Sequence, residues 1–146
     1  MTQKRLRAAL VTGAAKRIGR AIAEDLVADG FSVAIHANGS LAEAESFAAE
    51  LRQKGHQAVA IKADLANVDE TEELVGKACE ALGPLDLLVN NASIFLEDSL
   101  RKFDARVWDE HFAVHVRAPS ILAAKFAEQL PETAEGAIAD VRKVVS

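Results

Sequence analysis

The chain has 146 residues, half of them hydrophobic and 27% charged, which suits one packed domain, leaves no room for two full ones and excludes wholesale disorder. Seventeen basic residues against 22 acidic ones give a net charge of −5, so nothing in the charge balance draws the chain to nucleic acid or anionic lipid.

Ala8-Ala9-Leu10-Val11 is a short apolar run stopped by Thr12-Gly13. The glycine so soon after it favours a strand and a turn. From Ile18 the spacing changes: Ile18, Ile22 and Leu26 recur every four residues, with Arg20 and Glu24 on the opposite, wet side, and Gly30 ends this first helix. Phe31 to Ile35 alternates large and small residues as a second strand. Asn38-Gly39 turns the chain, and Ser40 with Glu43 forms a capping box for a helix reaching about Lys54. Gln57 to Ala63 is a third strand, with Val59 and Ile61 on one face. Val68 to Leu82 reads as helix, closed by Gly83-Pro84, and Leu85 to Val89 as a fourth strand. A long helix runs from about Ala105 to Leu130, bent or jointed at Pro119. Pro131 to Glu135 is a polar loop, and Gly136 to Val141 begins a fifth strand.

Strands alternating with helices imply an α/β fold: a Rossmann-like parallel sheet of about five strands with helices on both faces, in a single domain over residues 1–146. Right-handed crossovers place ligands at the carboxyl ends of the strands. No apolar run approaches the roughly 18 to 20 residues of a membrane span, and the apolar stretch after the basic start is too short for a signal peptide. The single cysteine, Cys79, allows no internal disulfide, so a reducing, cytoplasmic setting is expected. Tyrosine is absent, which closes any mechanism that needs a phenol acid or base from this polypeptide.

Four segments carry chemistry. The first is Thr12-Gly13-Ala14-Ala15-Lys16-Arg17-Ile18-Gly19, between strand one and helix one. A helix start offers unpaired N–H groups and partial positive charge. Gly13 allows a tight turn, Ala14 and Ala15 let a phosphate approach, Gly19 allows close helix-to-sheet contact, and Lys16 and Arg17 add full charge. The alternative is an ordinary strand-to-helix turn. The second segment, His36 to Ser40, lacks the carboxylate that holds a ribose 2′-hydroxyl in NAD-selective folds. His36, Asn38 and Ser40, with the two cations across the turn, suit a 2′-phosphate instead, so NADP is expected over NAD. His36 is equally read as a strand-end histidine that touches no ligand. The third is Asp64-Leu65, where the carboxylate either accepts from an adenine amine or caps the next turn. The fourth is Asn90-Asn91-Ala92-Ser93, whose adjacent amides can bind backbone across the sheet edge and line the cleft, with Ser93 and Phe95 at its mouth.

These motifs, Thr-Gly-x-x-x-Arg-x-Gly at 12–19, Asp64-Leu65 and Asn90-Asn91-Ala92-Ser93, resemble the short-chain dehydrogenase/reductase family. With Ile94 and Phe95 the pattern is most similar to its pteridine reductases. The resemblance spans residues 7 to about 141, the family's amino-terminal half. It implies that Gly13, Arg17, Ile18 and Gly19 surround a pyrophosphate. Asp64 and Leu65 would hold adenine, and Asn90, Ala92 and Ser93 the ribose and nicotinamide side. Ser93 and Phe95 would meet a pterin-like or carbonyl substrate; the alternative for Phe95 is a packed loop aromatic. The family's Tyr-x-x-x-Lys unit is missing: Arg142 and Lys143, after Asp140, stand where its serine or aspartate is expected, and His115 holds the place of its helical asparagine. No catalytic residue is therefore assigned. The expectation is an oxidoreductase chain truncated before its catalytic helix, with a non-catalytic nucleotide-binding or oligomerising module as the alternative. A flavodoxin-like domain is disfavoured by Arg17 and the asparagine pair. Residues on several faces of the long helix, and an open fifth strand, predict a homo-oligomer. Four histidines without a convergent partner set give no metal site.

Overall fold

The computed structural model describes residues 5–97 and 99–141; Arg142 and Lys143 lie outside them. Five strands form one sheet, β1 (Ala8–Val11), β2 (Ser32–Ala37), β3 (Ala58–Lys62), β4 (Leu87–Asn90) and β5 (Ala137–Asp140). Their order is β3-β2-β1-β4-β5, and every pairing is parallel. The chain winds outward in both directions from β1, so a crevice opens between the carboxyl ends of β1 and β4, where a dinucleotide site belongs in such sheets.

The helices are α1 (Arg17–Ala28), α2 (Leu41–Gln53), α3 (Val68–Leu82), α4 (Ala105–Phe112) and α5 (Ala118–Gln129). They cover both faces. Val27, Phe47 and Leu51 of α1 and α2 pack with Val11, Val33 and Ile35 on one face. Leu74, Leu82, Leu122 and Phe126 of α3 and α5 pack with Leu10 and Leu88 on the other. Alternation along β1 divides the two cores, since successive residues of a strand face opposite ways.

Three local expectations are corrected. The buried stripe of α1 is Gly19, Ala23 and Val27, not Ile18, Ile22 and Leu26; Ile18 is 47% exposed. Small side chains at this spacing let α1 lie against the sheet, and the larger ones flank the contact. Ser40 makes no side-chain cap bond, and the Glu43 carboxylate of the expected capping box lies 3.3 Å from Lys16 Nζ instead. The long helix is jointed two residues before Pro119, in a π-helical turn over Ala113–Arg117. In a continuous α-helix the proline ring would strike the carbonyl of His115, four residues back, and would leave it without a donor. The wider turn, in which Ala118 N–H reaches the carbonyl of Ala113, opens the helix at that point. Among the described residues no helix is long and apolar enough to cross a membrane.

Candidate dinucleotide site

At the carboxyl end of β1 the chain must turn sharply into α1. Gly13 does so at φ +61°, and a Cβ there would come within 2.9 Å of Ala92 Cα. A Cβ on Gly19 would run into the Gly13 carbonyl oxygen and Asn91 Nδ2. Both glycines are therefore required by close backbone approach. Arg17 opens α1 at φ +54°, a left-handed conformation that costs an arginine about 1–2 kcal/mol. Strain of this kind at a helix start is a mark of a binding turn.

Thr12 and Asn91 lock the turn to β4. Thr12 Oγ1 accepts from the N–H groups of Asn91 at 3.0 Å and Ala92 at 2.9 Å. Asn91 Nδ2 donates to the carbonyls of Thr12 and Gly13 at 3.1 and 3.0 Å. The Asn91 Oδ1 is buried with no partner among the described residues. An unpaired buried polar atom costs about 1–3 kcal/mol, so the fold gives up stability to keep this amide at the turn.

These elements enclose a cavity of about 450 Å³ over the ends of β1, β2 and β3. Of the residues singled out from sequence, Gly13, Lys16, Arg17, Ile18, Gly19, His36, Asn38, Ser40, Asp64, Leu65, Ala92 and Ser93 line it. A second cavity of about 700 Å³ lies beside it, toward β5, and takes in Asn90, Ser93 and Phe95. Asn90 belongs to this second cavity and is absent from the first. Its Nδ2 donates to Asp140 Oδ1 at 2.9 Å, across β4 and β5. Phe95 is 76% exposed, so the packed-aromatic alternative does not hold.

Other expectations change in detail. Ala14 is fully buried, and its N–H is bound by the His36 carbonyl at 2.9 Å, so it offers a phosphate nothing. His36 is 3% exposed rather than half-buried. Its Nδ1 accepts from Gly13 N–H at 2.9 Å and its Nε2 meets the Ala63 carbonyl at 2.8 Å, leaving no ring atom for a 2′-phosphate. Asp64 Oδ1 accepts from Ala66 N–H at 2.9 Å, as the turn-capping alternative required. The donors left for an anion are the N–H groups of Arg17, Ile18 and Gly19, which have no helical partner at a helix start, with the exposed Lys16 and Arg17 side chains beside them.

Asn91 binds backbone across the sheet edge and lines the cavity, as its sequence context implied; sequence reasoning passed over Ile94 and Val114 and missed the anchors of the loop after β4. His115 Nε2 accepts from Ile94 N–H and His111 Nε2 from Leu96 N–H, each at 3.2 Å. The two rings stand edge to face, 5.4 Å apart. Their spacing of four residues put them on one helix face, and that was the available signal. Among the described residues no group of three or more His, Cys, Asp or Glu could hold a metal.

Comparison with known proteins agrees with this architecture. The short chain dehydrogenase family model matches residues 7–145. The chain is 34% identical over 142 residues to the 3-oxoacyl-[acyl-carrier-protein] reductase FabG of Staphylococcus aureus, an alignment covering 97% of this chain and 58% of that protein. It is 36% identical over 157 residues to pteridine reductase 1 of Leishmania tarentolae, covering 86% of this chain and 54% of that one. The solved structure of FolM alternative dihydrofolate reductase 1 from Brucella suis, in complex with NADP, superposes with a TM-score of 0.88 at 46% identity, over 92% of this chain and 56% of that one. The chain thus spans a little over half the length of these relatives, and it belongs to the short-chain dehydrogenase/reductase family.

Proposed function

We propose that this chain binds NADP(H) and is the dinucleotide-binding part of a reductase acting on a carbonyl or pteridine-like substrate. The observation that carries the reading is the start of α1, aimed into a cavity whose glycines leave no space for a side chain. Arg17, Ile18 and Gly19 would hold the diphosphate through their N–H groups, with Lys16 and Arg17 supplying charge. Ser40 has no cap bond of its own, so its hydroxyl, with Asn38 and Lys16, is available to a 2′-phosphate. No carboxylate stands at the end of β2 to select a bare 2′-hydroxyl. Asp64 and Leu65 would bound the adenine side, and Ala92 and Ser93 the nicotinamide side. NADP complexes among similar solved structures support the same cofactor.

When bound, NADPH supplies a hydride. Ser93 and Phe95, on the loop that His111 and His115 anchor, would orient the acceptor in the second cavity. The proton donor that such a reduction needs has no tyrosine to come from in these 146 residues. This favours a second reading of these residues taken by themselves, a non-catalytic nucleotide-binding or oligomerising module. The same proposal places it in a reducing, cytoplasmic setting, where Cys79 stays a free thiol. Titration with NADPH and NADH, followed by nicotinamide fluorescence, tests the binding step. Saturable binding that is at least about tenfold tighter for NADPH is expected; no binding, or preference for NADH, overturns it. Turnover of dihydropteridines or quinones by the 146-residue chain would overturn the reading without catalysis.

A further inference from the structure

One buried histidine joins the three strand ends that line the first cavity. We propose that His36 is a positioning residue of the dinucleotide site: its neutral ring holds the glycine turn in the form that receives a diphosphate, and gaining a proton releases turn and ligand together. The proposal rests on the dinucleotide reading above and adds its regulation by pH.

The chemistry of its neighbours dictates the state of the ring. A backbone N–H only donates, so Nδ1, 2.9 Å from Gly13 N, must be bare. A carbonyl only accepts, so Nε2, 2.8 Å from Ala63 O, must carry the hydrogen. The ring is therefore neutral, in one tautomer. The carbonyl of the same residue takes the next N–H, that of Ala14, at 2.9 Å. His36 thus holds two consecutive N–H groups of the turn and, through Ala63, the start of the loop carrying Asp64.

A proton added at Nδ1 would set donor against donor at the Gly13 bond and place a charge in the interior. Burial pushes His36 below the ordinary histidine range, against the smaller opposing pull of the Ala63 bond. Charged residues on the surrounding elements are Lys16 and Arg17 after the glycine turn, Lys62 and Asp64 on either side of Ala63, and Glu43 in the first turn of α2. None of them bonds to the ring, and Glu43 is paired with Lys16. Among the described residues no carboxylate bonds to the ring to stabilise an imidazolium. The neutral, turn-holding form therefore prevails at neutral pH, and affinity falls as acid titrates the ring, below about pH 6.5.

The test is NADPH affinity from about pH 8 to about pH 5, for the 146-residue chain and for His36→Asn. The asparagine amide oxygen takes the place of Nδ1 and does not titrate. The cofactor's own 2′-phosphate gains a proton near pH 6, a loss both proteins share. At the alkaline end the variant, which keeps the acceptor for Gly13 N–H, is expected to bind no more tightly than the unsubstituted chain, and acid to weaken the unsubstituted chain at least about tenfold more than it weakens the variant. Parallel decline overturns the proposal. Failure of the unsubstituted chain to bind at the alkaline end overturns the dinucleotide reading instead. Nuclear magnetic resonance on the unsubstituted chain then decides about His36, as it does if the variant fails to fold. The expected result is an Nε2–H tautomer with a Gly13 amide that loses protection from exchange as the ring protonates. The opposite tautomer, or a Gly13 amide indifferent to ring titration, overturns the proposal.

Discussion

All six residues of β2 are buried, whereas all four residues of β5 are exposed. Both strands belong to one parallel sheet, and the contrast follows from position. β2 lies between β1 and β3 with helices on both sides; β5 pairs with β4 alone and leaves an open edge. The difference extends to the helices. Among the described residues from 91 onward, Phe95, Leu100, Phe103, Trp108, Phe112, Val116 and Ile138 are exposed, against Leu6, Ile18 and Val68 before them. The amino-terminal region, with its turn locked by Thr12, Asn91 and His36, is finished as a binding unit. The later region carries apolar surface of the kind that marks contact with another chain or another segment, which is the basis for proposing a homo-oligomer.

The sharpest test truncates one apolar side chain in each region. Leu10→Ala, at a fully buried site in the central strand, is expected to cost about 2–5 kcal/mol. Ile138→Ala, 46% exposed on β5, should cost under about 1 kcal/mol. Urea unfolding measures both, and equal losses would erase the contrast. Next in size is Thr12→Val, which strips the acceptor from two N–H groups at the locked turn. A loss of about 1–3 kcal/mol is expected, together with weaker NADPH binding. Retained stability would mean that Asn91, His36 and the glycines hold the turn without the Thr12 hydroxyl. Smaller again for the monomer is Trp108→Ser with Phe112→Ser, a stacked pair whose rings lie 4.0 Å apart on the outer face of α4. Stability should change by no more than about 0.5 kcal/mol, while self-association weakens in sedimentation. An unchanged assembly would place the contact elsewhere, with the β5 edge next in line.

Legibility followed the same division. In the first region a short apolar run ending in Thr12-Gly13 marked β1, alternation marked β2, and the bounds of α3 were read as Val68 to Leu82, as found. The turn residues at 12–19 were legible because glycine and paired cations at a helix start have few other uses. The identity of the buried stripe in α1 was not, since hydrophobicity alone points to Ile22 and Leu26, while the sheet accepts Gly19 and Ala23 for their size. The role of His36 was also hidden: its partners, Gly13 and Ala63, lie 23 and 27 residues away, and only the sheet order brings them together. In the later region the joint was assigned to Pro119 itself, because a proline shows where strain arises but not where the helix relieves it. The anchoring of residues 94–96 by His111 and His115 depends on a loop folding back onto a helix; the four-residue spacing puts both rings on one face but does not say what they bind.

The smallest effect concerns a clasp within the first region, between the start of β1 and the start of β4. Asp86, just before β4, receives both guanidinium nitrogens of Arg5 at 2.9 Å and the N–H of Ala8 at 2.8 Å, while its own N–H reaches the Ala8 carbonyl at 2.8 Å. Partial burial raises the carboxyl pKa, but the Arg5 guanidinium and the Ala8 N–H together outweigh it, so Asp86 sits below the usual carboxylate range. The folded value being below the unfolded one, the stabilisation is complete above the unfolded pKa of about 3.9. It is lost as the pH falls through the lower folded value. Asp86→Asn should therefore flatten the acid limb of the stability profile below about pH 4 and leave the contrast between β2 and β5 intact at neutral pH. Because Arg5 stands in solvent, the change will be slight, and urea midpoints on either side of that pH will resolve it. A variant whose acid limb stays as steep as the original would show that the Ala8 bonds, rather than the carboxylate charge, hold β1 to β4 at this end of the sheet.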